Sequence, residues 1–310
     1  MKKIITICLN PVYDVFLDTD GFSLYKENHV KSVYRCIGGK GLNVSRVLHS
    51  IGTESTSYVL IGKENGVGIS KELDAEKISH RDFYVEGRVR ENFTVRSDGR
   101  ETRICTNTFS VTPDVLGDVL ELIAEEVSRD TVIVCSGKFP DGISRGQSIG
   151  FVKRLSELSD FVALDSNYFS RDELLDVSPW LIKPNEEEIM IFAEGGDKDP
   201  LALAENARSA GIRNVLLSLG GKGAYYTGEQ GRYTVSAPEI TPVSTIGAGD
   251  AMLAGFIKGF AESRDIASSL RLACAAGSAA CLEEGTTPPP PFSVLQLSEK
   301  IEVRKITDQA

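Results

Sequence analysis

The stretch STIGAGDAMLAGF, residues 244–256, joins a loop to an amphipathic helix and is the most informative part of the chain. Gly247, Ala248 and Gly249 are small, so an anion can closely approach the free backbone N–H groups at the helix start. Asp250 follows on the first helical turn, where its carboxylate could take a proton from a hydroxyl that is about to attack a phosphate. An anion-binding turn beside a base indicates phosphoryl transfer to an alcohol.

Asp250 also has a purely structural interpretation, because an aspartate in the first turn complements the helix dipole. Two better-known nucleotide-binding motifs do not fit the sequence. A G-x-G-x-x-G dinucleotide fingerprint would place Met252 at its sixth position, where close helix packing needs a small residue. A Walker A loop ending at Lys40 would need glycine in place of Tyr34 and serine or threonine in place of Gly41. The sequence therefore argues against a dinucleotide-dependent oxidoreductase and against a P-loop enzyme.

The charge and composition of the chain limit its partners. The 310 residues carry a formal net charge of −10, which argues against a nucleic-acid partner because such proteins normally present a basic face. No apolar run approaches the ~20 residues of a membrane span, and Asn10-Pro11 ends the first apolar run too early for a secretory signal. The six cysteines show neither metal-site nor C-x-x-C spacing. We therefore expect a cytoplasmic protein with buried free thiols and with no membrane or nucleic-acid partner.

Short apolar runs alternate with helical patterns along much of the chain. The strand-like and helix-like segments include, in chain order, Ile4–Leu9, Gly41–Ile51, Thr131–Cys135, Gln147–Leu158, Leu201–Ala210 and Val215–Leu219. This alternation predicts an α/β fold with a doubly wound, mostly parallel sheet and helices on both faces. Residues about 12–36 and about 86–108 instead alternate polar with apolar side chains and carry turn signals. They predict antiparallel strands that pair as a small β-sheet lid, inserted into a single domain over residues 1–310.

Several polar residues follow the predicted strands or start the next helix, at the edge where open α/β sheets bind ligands. Asp14 comes after the first strand, and Gly39, Lys40 and Asn43 lie in a glycine-rich turn that leads into a helix. These side chains could reach a polar ligand, or they could form an ordinary turn with a solvated lysine. Arg90, in the predicted lid, is suited to a bidentate phosphate contact or is simply solvated.

Two later segments are candidates for a nucleotide-binding side. Asn185 and Glu188 could lie near nucleotide phosphates and Mg²⁺, which prefers oxygen ligands, or Asn185 could simply cap an acidic helix start. Ser218, Gly220 and Gly223 end another predicted strand and form either a hairpin turn or a loop that lines a nucleotide. The residues alone leave both alternatives open.

Taken together and in this order, these motifs resemble the ribokinase/phosphofructokinase B (PfkB) family of carbohydrate kinases over essentially the whole chain. The resemblance is most specific at GGKGLNV, residues 38–44, and at TIGAGD, residues 245–250. Within the family the chain is similar to the branch that holds 1-phosphofructokinases and tagatose-6-phosphate kinases. The marks of that branch are Leu9-Asn10-Pro11 with Asp14, Arg90 with Asn92, Ser136-Gly137, and Lys183-Pro184-Asn185 with Glu188.

The resemblance implies a ribokinase-like fold, ATP and Mg²⁺ as cofactors, and a lid that often mediates dimerisation. It implies Asp250 as the base and the backbone of Gly247, Ala248 and Gly249 as the anion hole. The residues implied to contact the sugar phosphate are Asp14, Gly39, Lys40 and Asn43, with Arg90 on its existing phosphate group. The resemblance also implies that the nucleotide site is lined by Asn185, Ser218, Gly220 and Gly223, and that Glu188 lies at the metal.

The chain departs from the family pattern at three places. Ser244 stands where many members have aspartate, Val89 stands where threonine is common, and Lys138-Phe139-Pro140 replaces the usual Ser-Leu-Pro. Lys138 would lie beside the acceptor, where it could add a phosphate contact or change the substrate preference.

The expected function is ATP-dependent phosphorylation of a phosphorylated ketohexose. Fructose 1-phosphate, converted to fructose 1,6-bisphosphate, is the first candidate, because residues 242–245 and 270–273 resemble those of 1-phosphofructokinases. Tagatose 6-phosphate is the alternative acceptor. A non-catalytic sugar-phosphate-binding protein is the alternative from another class, and Asp250 counts against it because a sensor has no need of a base.

Overall fold

The computed structural model describes residues 2–193, 198–263 and 265–307. Within these residues the strands are, in chain order, β1 (Ile4–Cys8), β2 (Val12–Asp18), β3 (Ser32–Gly38), β4 (Thr56–Gly62), β5 (Ser79–Val85), β6 (Arg90–Ser97), β7 (Arg100–Cys105), β8 (Val132–Ser136), β9 (Phe161–Asp165), β10 (Leu181–Ile182), β11 (Asn214–Ser218), β12 (Ala224–Gly228), β13 (Gly231–Val235) and β14 (Val303–Ile306). The α-helices are α1 (Lys40–Ser50), α2 (Val67–Ala75), α3 (Asp114–Glu126), α4 (Arg145–Leu158), α5 (Arg171–Val177), α6 (Pro200–Ala210), α7 (Ala248–Ser263), α8 (Ile266–Ala280) and α9 (Pro291–Ser298). The strands and helices predicted from the alternating pattern are present, and their bounds differ from the predicted ones by at most two residues.

The main body of the protein is a 10-stranded sheet with the order β14-β13-β12-β11-β10-β9-β8-β1-β4-β5. The strands from β11 to β5 in this order pair in parallel, and β12, β13 and β14 extend one side of the sheet in antiparallel pairing. The prediction of a doubly wound, mostly parallel sheet is therefore confirmed.

Different helices cover the two faces of this sheet. Helices α1, α7, α8 and α9 pack on one face, and α2 to α6 pack on the other. Neighbouring side chains of β1 point to opposite faces of the sheet, as the alternation of a strand requires. Ile4 packs in the core on the side of α1 and α7, and Ile5 packs in the core on the side of α2 to α6. Gly41 lets α1 lie directly on β1, because a Cβ at this position would be 2.3 Å from the Ile7 carbonyl oxygen. No helix in the described ranges is both long and apolar enough to cross a membrane.

A second sheet of four strands, in the order β3-β2-β6-β7, lies apart from the large one, and we call it the lid sheet. Strands β2 and β3 pair antiparallel, and so do β6 and β7, as predicted. The prediction of antiparallel strands is wrong between the two segments, because β2 and β6 pair in parallel from Val12–Arg90 to Asp18–Arg96. The reason is that β2 follows β1 and β6 follows β5. Both segments leave the same edge of a parallel sheet and therefore run in the same direction.

The prediction that the cysteines are buried free thiols holds for Cys8, Cys36, Cys135 and Cys274. It is wrong for Cys105, which is exposed on the outermost strand of the lid sheet, and for Cys281, which is partly exposed just after α8.

Candidate active site

The turn before α7 lies at the carboxyl edge of the large sheet. Gly247 has a φ of +80°, a left-handed conformation that favours glycine over other residues. The Ala248 amide donates to the Thr245 carbonyl at 3.3 Å, whereas the amides of Gly249 and Asp250 have no acceptor in the described part of the chain. The Ser244 hydroxyl accepts from the Ile246 amide at 3.2 Å and stabilises the same turn. The start of α7 therefore presents free N–H groups to an anion.

Asp250, on the first turn of α7, is almost completely buried beside the start of α1. Asn43 of α1 donates from its side-chain nitrogen to Asp250 Oδ2 at 2.7 Å. Burial first of all, and then the negative charge of Asp165, raise the pKa of Asp250 to about 6, although Lys40, Asn43 and Lys183 act in the opposite direction. A carboxylate with a pKa near neutrality is a better proton acceptor than an ordinary aspartate and is still ionised at pH 7.

A second buried carboxylate, Asp165 at the end of β9, holds two lysines beside Asp250. Lys40 Nζ lies 2.9 Å from Asp165 Oδ1, and Lys183 Nζ lies 3.5 Å from Oδ2. Burial by itself would raise the pKa of Asp165, but the charges of Lys183 and Lys40 outweigh it and hold this pKa below its usual range. A Cβ at Gly249 would be 3.1 Å from Lys183 Nζ. The Lys183 ammonium group therefore lies next to the backbone of the anion-binding turn.

The same buried carboxylates also change the pKa of Lys40. Burial would lower the pKa, but the charges of Asp165 and Asp250, with a smaller contribution from Glu188, raise it above the usual lysine value. Lys40 therefore carries its charge at physiological pH. Neither Asp165 nor Lys183 was predicted as a site residue, although Lys183 belongs to the Lys183-Pro184-Asn185 motif. The signal that could have found them is their position, because both directly follow or end parallel strands at the ligand-binding edge.

Asp14 lies on β2 of the lid sheet, on the face that is turned toward the start of α1. Its Oδ1 accepts hydrogen bonds from Asn92 Nδ2 at 3.0 Å and from Arg103 Nη2 at 3.2 Å. Its Oδ2 lies over Gly38, where a Cβ would be only 2.6 Å away. Gly39, with a φ of +118°, makes the turn from β3 into α1 and would clash with Cys8 if it carried a side chain. The two glycines thus keep the space between Asp14 and the start of α1 open.

Arg90 and the loop that carries Lys138 meet at Asn10. Arg90 Nη2 lies 3.5 Å from the Asn10 carbonyl oxygen, and Asn10 Nδ2 donates to the Phe139 carbonyl at 3.3 Å. Phe139 is buried against other aromatic rings, with the Phe151 ring centroid 5.8 Å away, whereas Lys138 is exposed. A buried aromatic anchor therefore holds this loop beside Arg90.

The cleft between the lid sheet and the large sheet is surrounded by buried polar atoms that have no hydrogen-bond partner within residues 2–193, 198–263 and 265–307. These atoms are Asn10 Oδ1, Asn43 Oδ1, Arg90 Nε, Asn92 Oδ1 and Ser136 Oγ. Buried polar groups normally have partners, and leaving one unpaired costs about 1–3 kcal/mol. Such a concentration of unpaired groups is typical of a site whose ligand carries several hydroxyl or phosphate groups.

A cavity of about 900 Å³ opens on the other side of the anion-binding turn. The four residues predicted for the nucleotide, Asn185, Ser218, Gly220 and Gly223, all line it. Ala248 and Gly249 also line it, together with apolar side chains such as those of Ile240, Met252 and Cys274. A cavity of this size that combines apolar side chains with a helix start is suited to a ligand that has both an apolar part and a phosphate.

Asn185 and Glu188 form a local cap, which is the structural alternative raised by the sequence. Asn185 Oδ1 accepts from the amides of Glu187 and Glu188, and Glu188 Oε2 accepts from the Asn185 amide at 3.0 Å. Glu188 lies on a smaller neighbouring cavity of about 300 Å³ that also contains Lys183. No group of three or more histidine, cysteine, aspartate or glutamate residues within the described ranges could hold a metal ion by itself. Glu188 offers a carboxylate oxygen, which is the kind of ligand that Mg²⁺ prefers.

Residues 3–292 match the family model described as pfkB family carbohydrate kinase. The chain is 31% identical over 281 residues to a 1-phosphofructokinase of Escherichia coli (strain K12), covering 88% of this chain and 89% of that protein. It is 29% identical over 293 residues to a tagatose-6-phosphate kinase of Staphylococcus epidermidis, covering 91% and 93% respectively. A crystal structure of phosphofructokinase-2 from Escherichia coli in complex with fructose-6-phosphate has the same fold, with a TM-score of 0.87 at 22% identity over 97% of this chain and 99% of that one.

The fold, the anion-binding turn and the buried aspartate at the carboxyl edge of the sheet agree with these matches, which extend over nearly the whole chain. The protein belongs to the pfkB family of carbohydrate kinases and is a phosphotransferase with an alcohol group as acceptor.

Proposed function

We propose that this kinase transfers the γ-phosphoryl group of ATP to O6 of fructose 1-phosphate and forms fructose 1,6-bisphosphate. The observation that carries the proposal is Asp250, a buried carboxylate with a raised pKa at the start of α7, between the cleft and the large cavity. A base in this position takes the proton of the attacking hydroxyl.

The charge of the transferred group is balanced by three parts of the chain. The free amides at the start of α7 point at the phosphate, and Lys183 and Lys40 lie next to them. Asp165 keeps both lysines in place, and its charge raises the pKa of Lys40. Because phosphoryl transfer depends mainly on positioning and electrostatic stabilisation, this arrangement supplies most of what the reaction needs.

The acceptor lies between the lid sheet and α1 in our proposal. Asp14, Asn43 and Gly39 contact its hydroxyl groups, and the unpaired oxygens of Asn92 and Asn10 are available for further hydrogen bonds. Arg90 and Lys138 bind the phosphate that the sugar already carries. An unphosphorylated sugar would leave these two cations without an anion.

On the nucleotide side, we assign Asn185, Ser218, Gly220 and Gly223 to ATP. Glu188 would hold Mg²⁺ through its carboxylate, with phosphates and water as the other ligands. When bound, the ion neutralises charge on the phosphates. The buried thiols are in accord with a reducing, cytoplasmic location.

We further propose that two copies of the chain form a homodimer through the lid sheets. Leu17 pairs with Val33, and Phe93 pairs with both Val15 and Ile104, so these side chains share the face opposite Asp14. Val33 and Ile104 are 63% and 52% exposed, which leaves an apolar surface for a second copy to cover.

Tagatose 6-phosphate is the second candidate acceptor, because a relative of nearly equal identity is a tagatose-6-phosphate kinase. Initial rates of ADP release with fructose 1-phosphate, tagatose 6-phosphate and fructose 6-phosphate separate the candidates. We expect the highest kcat/KM for fructose 1-phosphate. A higher value for tagatose 6-phosphate would overturn the assignment of the sugar, and binding of all three without ADP release would favour a non-catalytic sugar-phosphate-binding protein.

A further inference from the structure

Arg103 lies on β7, the outermost strand of the lid sheet, and its guanidinium contacts a residue two strands away. Its partner in register is Thr94 of β6, and Asp14 of β2 is paired in register with Asn92. Arg103 therefore crosses β6 diagonally to reach Asp14 Oδ1 at 3.2 Å. Long side chains can make such diagonal contacts on one face of a sheet.

The contact joins a half-exposed cation to a buried anion. The Asp14 side chain is only 8% exposed, while that of Arg103 is 49% exposed. Asn92, the other donor to Oδ1, is neutral. Without Arg103, the buried charge of Asp14 would keep one hydrogen bond and lose its charged partner, which is costly for a buried carboxylate.

The two donors also fix the direction of the Asp14 carboxylate. Both hydrogen bonds go to Oδ1, so Oδ2 is held over Gly38 on the side of the turn that starts α1. That turn carries Gly39 and leads to Asn43, and both residues contact the acceptor in our proposal. Rotation of the carboxylate would move Oδ2 away from the acceptor hydroxyl that it is positioned to bind.

We propose that Arg103 is a positioning residue for the acceptor: it holds Asp14 with Oδ2 facing the sugar and thereby sets the affinity for the phosphorylated ketohexose. The inference rests on the proposed function in one respect, namely that the cleft beside Asp14 is the acceptor site. Arg103 acts through Asp14 and makes no contact of its own with the sugar.

The test compares Arg103→Ala and Arg103→Lys with the wild type, and Arg100→Ala serves as the matched control. Arg100 is on the same strand but on the opposite face of the lid sheet, because it is an odd number of residues from Arg103. We expect Arg103→Ala to raise the KM for the sugar phosphate about tenfold, with kcat changed less than threefold and the KM for ATP unchanged. Arg103→Lys should recover part of the loss, and Arg100→Ala should behave like the wild type.

A double-mutant cycle shows whether Arg103 acts through Asp14. In an Asp14→Asn background, Arg103→Ala should have little further effect on the KM, because the aspartate that it positions is already gone. The same tenfold loss in that background would mean that Arg103 contacts the sugar directly and would overturn the inference. An unchanged KM in Arg103→Ala would overturn it as well. If Arg103→Ala does not fold, Arg103→Gln replaces it, with thermal unfolding as the check.

The acceptor in these assays is whichever sugar phosphate the wild type uses best, so a preference for tagatose 6-phosphate would change the proposed substrate and leave the test of Arg103 intact. If the wild type only binds the sugar phosphates, calorimetric Kd values replace KM and the same tenfold change is expected. Absence of both binding and turnover would overturn the proposed function and the inference together.

Discussion

In our proposal, Asp250 favours catalysis at the expense of stability. Its pKa is raised from the usual 3.8 to about 6, mainly by burial and then by the charge of Asp165. The folded protein therefore binds this proton more tightly than the unfolded chain does. The resulting stabilisation is complete below about pH 3.8 and is lost as the pH rises through 6. At the pH where the ionised base is useful, it destabilises the fold.

We expect Asp250→Asn to lower kcat at least about 1,000-fold and to raise the thermal unfolding temperature at pH 7.5. The proton acceptor is lost, while removal of a buried charge stabilises the fold by about 1–3 kcal/mol at roughly 1.4 kcal/mol per pKa unit. The gain in stability should be smaller at pH 5 than at pH 7.5, because Asp250 is largely protonated at the lower pH. Unfolding scans at both pH values and calorimetric ATP binding, which should be nearly unchanged, provide the measurements.

Asp265→Asn is the control for this prediction. Asp265 caps the start of α8, and its pKa is lowered by hydrogen bonds to Ser268. This variant should keep its kcat, because Asp265 is not in the cleft. Near-normal turnover in Asp250→Asn would refute the role of Asp250 as the base.

The residues that the sequence could identify are those that lie in motifs with a local physical reason. The small residues and aspartate at 247–250 suit an anion and a base whatever surrounds them, and Asn185 fits a cap. Asp165 has only its position at the end of a strand as a local signal, and Arg103 has none. Asp165 acquires its importance from Lys40 and Lys183, which are far away in the chain, and Arg103 from the lid-sheet contact with Asp14. Their significance depends on tertiary contacts that a single sequence does not display.

At the scale of one element, the turn between β11 and β12 contains a glycine in a conformation that other residues avoid, and it lines the cavity that we assign to the nucleotide. Gly223 has a φ of +103°, and a Cβ there would be 2.0 Å from the Val235 carbonyl oxygen. Gly221 lines the same cavity, but it has open space around it. The two glycines therefore allow a matched comparison within one turn.

We expect Gly223→Ala to lower the free energy of unfolding by about 1–3 kcal/mol, because alanine cannot adopt this backbone conformation without strain. The KM for ATP should rise several-fold, since the turn must move away from β13. Gly221→Ala should change both quantities little. Urea unfolding and initial-rate kinetics on the two variants check this prediction, and equal effects of the two substitutions would contradict it.

The elements that the sequence predicted well are those with a long or regular pattern. Helix α1 has the stripe Val44, Val47 and Leu48, and all three are buried against α7 and the large sheet. The pairing partner of a strand is harder to predict, because it depends on where each chain segment leaves the sheet. This is why the parallel pairing of β2 with β6 was missed. The short antiparallel strands β12 to β14 were also not assigned.

At the scale of the whole molecule, the lid sheet leaves an apolar outer face that we assign to dimerisation. We expect the wild type to have twice the mass of one chain by light scattering at micromolar concentration. The double substitution Val33→Glu and Ile104→Glu should give a monomer, because it places two charges on the proposed interface.

Phe292→Glu is the control, since this phenylalanine is 69% exposed on α9, which is not part of the lid sheet. A wild type that is monomeric at all accessible concentrations would rule out the lid-mediated dimer. Dissociation by Phe292→Glu alone would move the interface to α9.

The lid sheet has a consequence for any attempt to exchange parts between relatives. Its two hairpins come from separate insertions joined by the β2–β6 pairing, and a third segment fastens them. In that segment Glu284 pairs with Arg96 at 2.6 Å, and Thr286 donates to the Ile37 carbonyl at 3.3 Å. A chimaera that receives only one hairpin would acquire mismatched pairing partners. A working graft would therefore need all three segments, which lie far apart in the sequence, from the same donor.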